Sequence, residues 1–468
     1  MVNRPPISIV LIALTAFITA AIFCQKMLGG IPHIPDETAY VFQGRIFASF
    51  HLFAPSPHVP EAFAVDHIQI SSDRWFSIYP PGWPLILAIG WIIHAVCLMN
   101  PILLGLSIMG VWSLSIQLYQ DARTALVASI VFASSPFVLL MGSGFMAHIP
   151  CLCACTWCVA LLLSNHKRNW FYAGLLAGFA IMVRPYTAVP LLIVPLLWQR
   201  KNLYYAMVGI LPMLLMFFAY NWCLFGSPFR SGYPLDPQWR TDGFSYGYLF
   251  PNLRWYFHNV NRMLWGLPVP DLLIFIPLLW PKIGNRKDLL LISCVLSLLF
   301  AYCYFYYTDI VYSGPRYIFE GMSFLSILAA RSLNSVLRGK WIFAASILLV
   351  FPLGVRLPQQ IQYHSQFYHG QSGELVDKVN QAGVGDDALI LLTGDKYILR
   401  SFFFENDLPV EKGHRVFAYD TDEQKLIEAY PRKEIWHITV LLDPLSGPNS
   451  YVDHWQLKEF DTTKAQRH

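Results

Sequence analysis

The sequence predicts an all-α polytopic membrane domain, residues 1–355, followed by a small extracytoplasmic α/β domain, residues 356–468. Two observations predict the first part. The 468-residue chain is 55% hydrophobic and only 13% charged, well under the roughly 25% of soluble domains. Apolar runs of about 17–25 residues, the length that crosses a bilayer, recur as far as residue 355 and imply about 9–11 membrane helices including a re-entrant hairpin. A third observation predicts the second part: beyond residue 356 charged residues become frequent, and short β-rich stretches replace the long apolar runs. The small net charge of +4 reads as positively charged inside loops rather than nucleic-acid binding, so no nucleic-acid partner is expected.

The elements follow in order. The first run, about Ile7 to Leu28, is preceded only by Arg4 and lacks a small-residue cleavage site, so it reads as a retained helix and not a signal peptide. Basic clusters at "NHKRN" (165–169), "WQRKN" (198–202), "KIGNRK" (282–287) and "RSLNSVLRGK" (331–340) mark the inside face. With the N-terminus inside, the loops 29–82 and 225–268, the segment 308–315 and the tail fall outside. The first outer loop opens with a short helix whose Ala39, Phe42, Ile46, Phe50 and Phe53 recur at spacings of three and four, predicting an apolar face laid flat on the membrane. Asp36, Tyr40 and Gln43 fall on another face. "WPLILAIGWIIHAVCLMN" (83–100) is read as dipping into the outer leaflet, because a full span would reverse the sides of the later loops. A full span together with one missed elsewhere would restore the same parity. "WFYAGLLAGFAIMVRPYTAVPLLIVPLLW" lies between two inside clusters and must enter and leave on one side. Each half, about 13 residues or 20 Å of helix, is short of the roughly 30 Å hydrocarbon core. This predicts a re-entrant hairpin with Arg184 at its tip. The loop 225–268 is rich in Trp, Tyr, Phe and Asn, which suits stacking on a sugar ring and equally suits an interfacial aromatic belt. In the tail, "DDALILLTGD" and "IWHITVLLD" read as strands and "TDEQKLIEAYP" as a helix between them.

All nine cysteines lie in or near apolar segments. "CLCACTWC" has metal-like spacing, but its Leu, Ala, Val and Trp surroundings favour small polarizable residues packing in a span. No compact ligand cluster occurs, so no cofactor is expected to be required. The outer-loop histidines His33, His51, His58 and His67 leave a divalent metal open, since loops converge in space.

The outward-facing features form a sequence of their own. Asp36 and Glu37 follow the first span, "YPPGWPLIL" (79–87) returns to the membrane, and His148 lies in "GSGFMAH". Arg184 sits at the hairpin tip, and "SGPRYIFEG" (313–321) opens a late span. In this order the chain resembles the GT-C glycosyltransferases, in the branch of protein O-mannosyltransferases and lipid A aminoarabinose transferases, over most of residues 1–355. The resemblance implies a sugar on a polyprenyl phosphate as donor, an acid in the first outer loop as catalytic base, and inverting transfer to a lipid, glycan or protein acceptor. Asp36 and Glu37 match the family's acid pair. Arg184, Arg316, Tyr317, His148, Tyr79 and Arg45 are the candidate substrate-binding residues. Many relatives carry an Asp in the second outer loop, where this chain has "SGFMAHIP". If His148 takes that place, the acceptor or the metal habit of the site differs.

The chemistry explains why adjacent acids sit so close to lipid. A polyprenyl phosphate holds its sugar at the membrane surface, and a base on a short tether from the first span works at that height. The carboxylate takes the acceptor's proton, while the leaving phosphate needs cations, which arginine's planar fork supplies. Each residue also has a structural alternative. Asp36 could cap the helix after it, with Glu37 in its first turn. His148 could be a helix-end histidine, Arg316 a headgroup anchor and Arg184 the partner of a protein carboxylate. Two other functions compete: a transporter or flippase, since broken helices and intramembrane charge serve transport too, and a non-catalytic envelope subunit. Donor-dependent transfer by purified protein separates them. The expected location is a bacterial inner membrane, with the tail domain periplasmic or extracellular.

Overall fold

The computed structural model describes residues 4–164, 166–199, 203–235, 242–280, 284–337, 346, 349–365, 367–444 and 455–465. The basic clusters that orient the chain fall partly outside these residues, as does part of the loop 225–268. The chain forms two compact units. One comprises Met1–Ala21, Pro80–Trp83 and Leu98–Gln360, and the other Ile22–Tyr79, Pro84–Cys97 and Ile361–His468.

The first unit is helical. Among the described residues, the helices long and apolar enough to cross a bilayer are Ile7–Met27, Val96–Tyr119 and Leu203–Phe225. Shorter apolar helices include Ala122–Ala133, His148–Leu162 and Pro185–Trp198. Their breaks have local causes. Ala122–Ala133 ends at Ser134, and Ser135 starts the next helix, its hydroxyl accepting from the Val138 amide with Pro136 at the first helical position. Asp121 caps Ala122–Ala133 by accepting from the amides of Arg123 and Thr124. The four cysteines of "CLCACTWC" are buried along His148–Leu162.

Small residues set the closest helix packing. A Cβ on Gly174 would overlap the Ala206 carbonyl, and one on Gly209 would overlap the Phe171 carbonyl. Lys167–Val183 and Leu203–Phe225 therefore pack backbone to backbone, the use of small residues expected where lipid offers no hydrophobic driving force. The helix Lys167–Val183 has 17 residues, longer than the expected half-hairpin because it starts within the basic cluster. It stops at Arg184, whose φ of −147° and ψ of 82° are non-helical, as the following proline requires. The second arm, Pro185–Trp198, has 14 residues. The helix Gly82–Ile92, whose first two residues fall in this unit, has 11 residues, about 16 Å and well short of the hydrocarbon core.

The second unit holds the first outer loop and the polar tail. Its leading helix is Pro35–Ala48. The flat, surface-lying arrangement expected of this helix is not what forms. Nearly its whole circumference is buried, from Glu37 to Gly44 without interruption. Phe42 packs on Trp75 at 4.7 Å and Phe403 at 5.6 Å between ring centres. The polar Gln43 is buried as well, with both ends of its amide bonded. Phe50, counted as part of the apolar stripe, is past the helix end and 90% exposed. The tail forms a four-stranded sheet in the order Val416–Tyr419, Ala388–Gly394, Glu434–Pro444, Trp455–Lys464. The first three are parallel and the last is antiparallel. Ala388 to Leu392 are all buried, as a strand covered on both faces should be. The expected helix between strands is Glu423–Ala429.

Candidate functional site

In the second unit, the acid pair opens the Pro35–Ala48 helix with Pro35 at its first position. The cap position belongs to Ile34, extended and without a side-chain bond, so Asp36 is not the cap. The two acids then divide. Glu37 is fully buried, and its Oε2 accepts the backbone amide of His33 at 3.0 Å. It holds the entry of the helix, and both acids lie at the end that favours negative charge. Asp36 is only half-buried. Its Oδ1 accepts the Tyr79 hydroxyl at 2.8 Å.

Tyr79 is set by its neighbours. Its ring lies 4.5 Å from that of Tyr40, one turn after Asp36 on the same helix, and 5.5 Å from His67. Gln43 fixes the short strand Trp75–Ser77, which ends two residues before Tyr79. Its Nε2 donates to the Leu52 carbonyl and its Oε1 accepts from the Ser77 amide, both at 2.9 Å. Asp36, Tyr40 and Gln43, grouped on one face by sequence spacing, thus act together to hold Tyr79 on the carboxylate.

Arg45 sits at the other end of the helix and serves the fold. It donates to the carbonyls of Phe404 at 2.7 Å and Asn406 at 2.8 Å, pairs with Asp407 at 3.7 Å and lies over Trp91. His33 is fully enclosed, with ring nitrogens facing the carbonyls of Tyr368 at 2.8 Å and Leu28 at 2.9 Å. Burial pushes its pKa down while these two carbonyls pull it up; a neutral imidazole can donate to only one of them. Among the described residues no three His, Cys, Asp or Glu side chains converge as a metal site. His51 and His58 are exposed and His67 is half-buried.

In the first unit, Arg184 and Arg316 belong to one polar and aromatic ladder. Arg184 pairs with Glu320 at 2.9 Å, its partner fully buried. It also donates to Thr187 Oγ1 at 3.2 Å and reaches the Tyr302 hydroxyl at 3.5 Å, which shares a 2.6 Å bond with Thr187. The Tyr302 ring stacks on Tyr317 at 4.9 Å. Arg316 lies over that Tyr317 ring at 4.9 Å, donates to its hydroxyl at 3.0 Å and pairs with Asp309 at 3.3 Å. His148, fully buried, lies edge-on to Phe319 at 6.0 Å and within electrostatic reach of both arginines. Neither of its ring nitrogens has a hydrogen-bond partner among the described residues, a deficit that a ligand or water relieves.

The structure therefore gathers Arg184, Arg316, Tyr317 and His148 in one unit, and Asp36, Glu37 and Tyr79 in the other, with Arg45 apart from the acids. Sequence reasoning missed Glu320, Tyr302, Thr187, Asp309 and Gln43's bracing role. Glu320 lay in plain view four residues after Arg316 in "SGPRYIFEG". Leaving an arginine of such a buried pair without its partner costs about 3–5 kcal/mol, a reason to look for an acid near any intramembrane arginine.

Comparisons with known proteins bear on both units. Residues 80–222 match the model of the dolichyl-phosphate-mannose-protein mannosyltransferase family. No curated protein matches the chain by sequence. The backbone is similar to that of ArnT from Cupriavidus metallidurans in the apo state, at a TM-score of 0.56 and 12% identity, covering 92% of each chain. It is similar also to the same protein bound to undecaprenyl phosphate, at a TM-score of 0.52 and 12% identity, covering 94% of this chain and 96% of that one. By this family match and this backbone, the chain is a membrane protein with the fold of the GT-C glycosyltransferase superfamily.

Proposed function

We propose that the chain transfers a sugar from a polyprenyl-phosphate-linked donor to an acceptor hydroxyl at the outer face of the membrane, with inversion and with Asp36 as general base. The observation that carries this reading is the unequal treatment of two adjacent acids. Glu37 is fully buried and accepts the His33 amide, whereas Asp36 is half-buried and accepts the Tyr79 hydroxyl. That bond orients the Asp36 carboxylate, the group proposed to take the proton. The undecaprenyl phosphate bound in the ArnT structure of like fold supports the donor class.

The steps balance without further groups. The acceptor oxygen bonds to C1 of the sugar as the C1–phosphate oxygen bond breaks. The acceptor's proton passes to Asp36, and the phosphate leaves on its prenyl chain. A phosphate leaving group needs charge stabilisation and no proton, which we assign to Arg316, with Tyr317 and Asp309 holding the guanidinium in place. Arg184, paired with Glu320, joins the same ladder through Tyr302, and His148 offers a ring nitrogen to the bound donor. Arg45 is left out of the site, its donors being spent on the fold. The reaction is written without a resident metal, because each of its charge movements has a group of this chain assigned. The arms Lys167–Val183 and Pro185–Trp198 are taken as the re-entrant hairpin, and the tail domain as lying outside.

The experiment is a paired substitution. Asp36→Asn keeps the shape of the side chain and loses proton acceptance, so transfer should fall about 100- to 10,000-fold while insertion and donor binding persist. Glu37→Gln should instead lower thermal stability and leave turnover within a few-fold. Transfer by Asp36→Asn within threefold of wild type removes Asp36 from the mechanism.

A further inference from the structure

We infer that Cys24 and Cys97 form a disulfide when the chain meets an oxidising compartment, a modification site that closes the turn leading to the acid-bearing helix. Three contacts carry this. The Cys24 thiol lies within hydrogen-bond reach of the Cys97 sulfur. Cys97 Sγ also donates to the Gly30 carbonyl at 3.6 Å, and the Gly30 amide donates to the Cys24 carbonyl at 2.8 Å. Gly29 and Gly30, with φ of 63° and 71°, fold the chain back so that Gly30 lies against both cysteines. A side chain there would meet Cys97 Sγ, and the left-handed backbone suits glycine.

The pair is unlike the other cysteines of the chain. Cys24 is buried in the π-helical turn Phe23–Met27, while Cys97, in the short turn Val96–Leu98, is half-buried and open to a reagent. Cys151 and Cys155 also lie within reach of one another, but both are buried on one helix. With the basic clusters inside, the end of the first long helix lies at the outer face, where disulfides persist.

The oxidant is a disulfide, either small or borne by a thiol oxidoreductase. The Cys97 thiolate attacks one of its sulfurs and expels a thiolate, giving a mixed disulfide. Cys24 loses its proton and attacks Cys97 Sγ, releasing the second thiol. Two thiols of this chain lose two protons and two electrons, and the oxidant's disulfide becomes two thiols. The bond would tether residues 24–30 to residue 97, just ahead of Asp36, and it does not depend on the transfer reaction proposed above.

Peptide mapping of the full chain tests it. Purified protein in lipid nanodiscs is incubated with excess glutathione disulfide, unfolded in the presence of iodoacetamide and digested. The expected product is one cross-linked species joining the Cys24 and Cys97 peptides, separable by dithiothreitol. Oxidised wild type should also unfold several degrees above reduced wild type, a difference absent in Cys97→Ser. Recovery of both cysteines as separate alkylated peptides, bonding of either to another cysteine, or a cross-link that forms only when oxidant is added after unfolding would each overturn the assignment.

Discussion

Two carboxylates with the same sequence neighbourhood do different work because one residue's shift along a helix turns the side chain by about 100°. Glu37 points inward to the His33 amide, and Asp36 points to Tyr79. The arginines show the same dependence on surroundings. Arg316 is held on three sides, by Asp309, the Tyr317 ring and the Tyr317 hydroxyl. Lysine keeps the charge but cannot lie flat on the ring or present two parallel donors. Arg316→Lys is therefore expected to lower turnover by more than it lowers donor affinity, because the leaving phosphate gains charge in the transition state. Steady-state transfer beside donor-lipid binding reads both. If Arg316→Lys and Arg316→Ala both run near wild-type rates, Arg316 anchors the chain at the interface and the phosphate is held elsewhere.

At the scale of elements, two contacts invite tests. Lys167–Val183 and Leu203–Phe225 meet through Gly174 and Gly209, and each would drive a Cβ into the facing backbone. A carbonyl in a helix cannot swing aside as a side chain can. Gly174→Val should cost stability on the order of 2–4 kcal/mol, as overpacking and core disruption do, and reduce the yield of folded protein in detergent. Gly226→Val, at a site with open space beside it, gives the comparison for a valine that meets no backbone, although its positive φ of 74° adds some strain of its own. Equal yields would show that the two helices separate without loss. In the tail, Asp387 and Lys433 stand at the entrance of two parallel strands, 2.6 Å apart, next to the Glu434 amide bonded to the Asp387 carbonyl. The hydrogen bond and charge of Lys433 hold the Asp387 carboxyl below its ordinary range. A depressed carboxylate contributes stability above its unfolded value of about 3.9, and that contribution is lost as pH falls through the lower folded value. Wild type should therefore melt above Asp387→Asn at pH 7, and the gap should close as pH falls below about 4. A gap that stays constant with pH would assign the effect to packing alone.

For the whole molecule, the expectation to test is orientation. With the N-terminus inside and the tail outside, a single cysteine at Ser372 in a cysteine-free background should react with an impermeant reagent added outside. One at Asn202, which lies outside the described residues, should react only after the membrane is opened. The reverse pattern would defeat the arrangement. A cysteine-free background also removes the Cys24–Cys97 pair, so labelling should be read beside a chain that keeps those two residues.

The sequence by itself determined the membrane class, the helical first part, the α/β tail and the candidate acids. These follow from local quantities: run length, charge spacing, prolines and the period of apolar residues. The break at Arg184-Pro185 and the strands of "DDALILLTGD" and "IWHITVLLD" were legible for the same reason. The tertiary structure alone decided the rest. The burial of Phe42 in the Pro35–Ala48 helix draws on Trp75 and Phe403, distant in sequence, which no helical period can announce. The pairing of Arg184 with Glu320, the hold of Tyr79 on Asp36 and the meeting of Cys24 with Cys97 are likewise long-range contacts. A sequence records which groups must be satisfied in a low-dielectric interior, but the partner is chosen by packing, because only the folded chain brings distant side chains within hydrogen-bond reach.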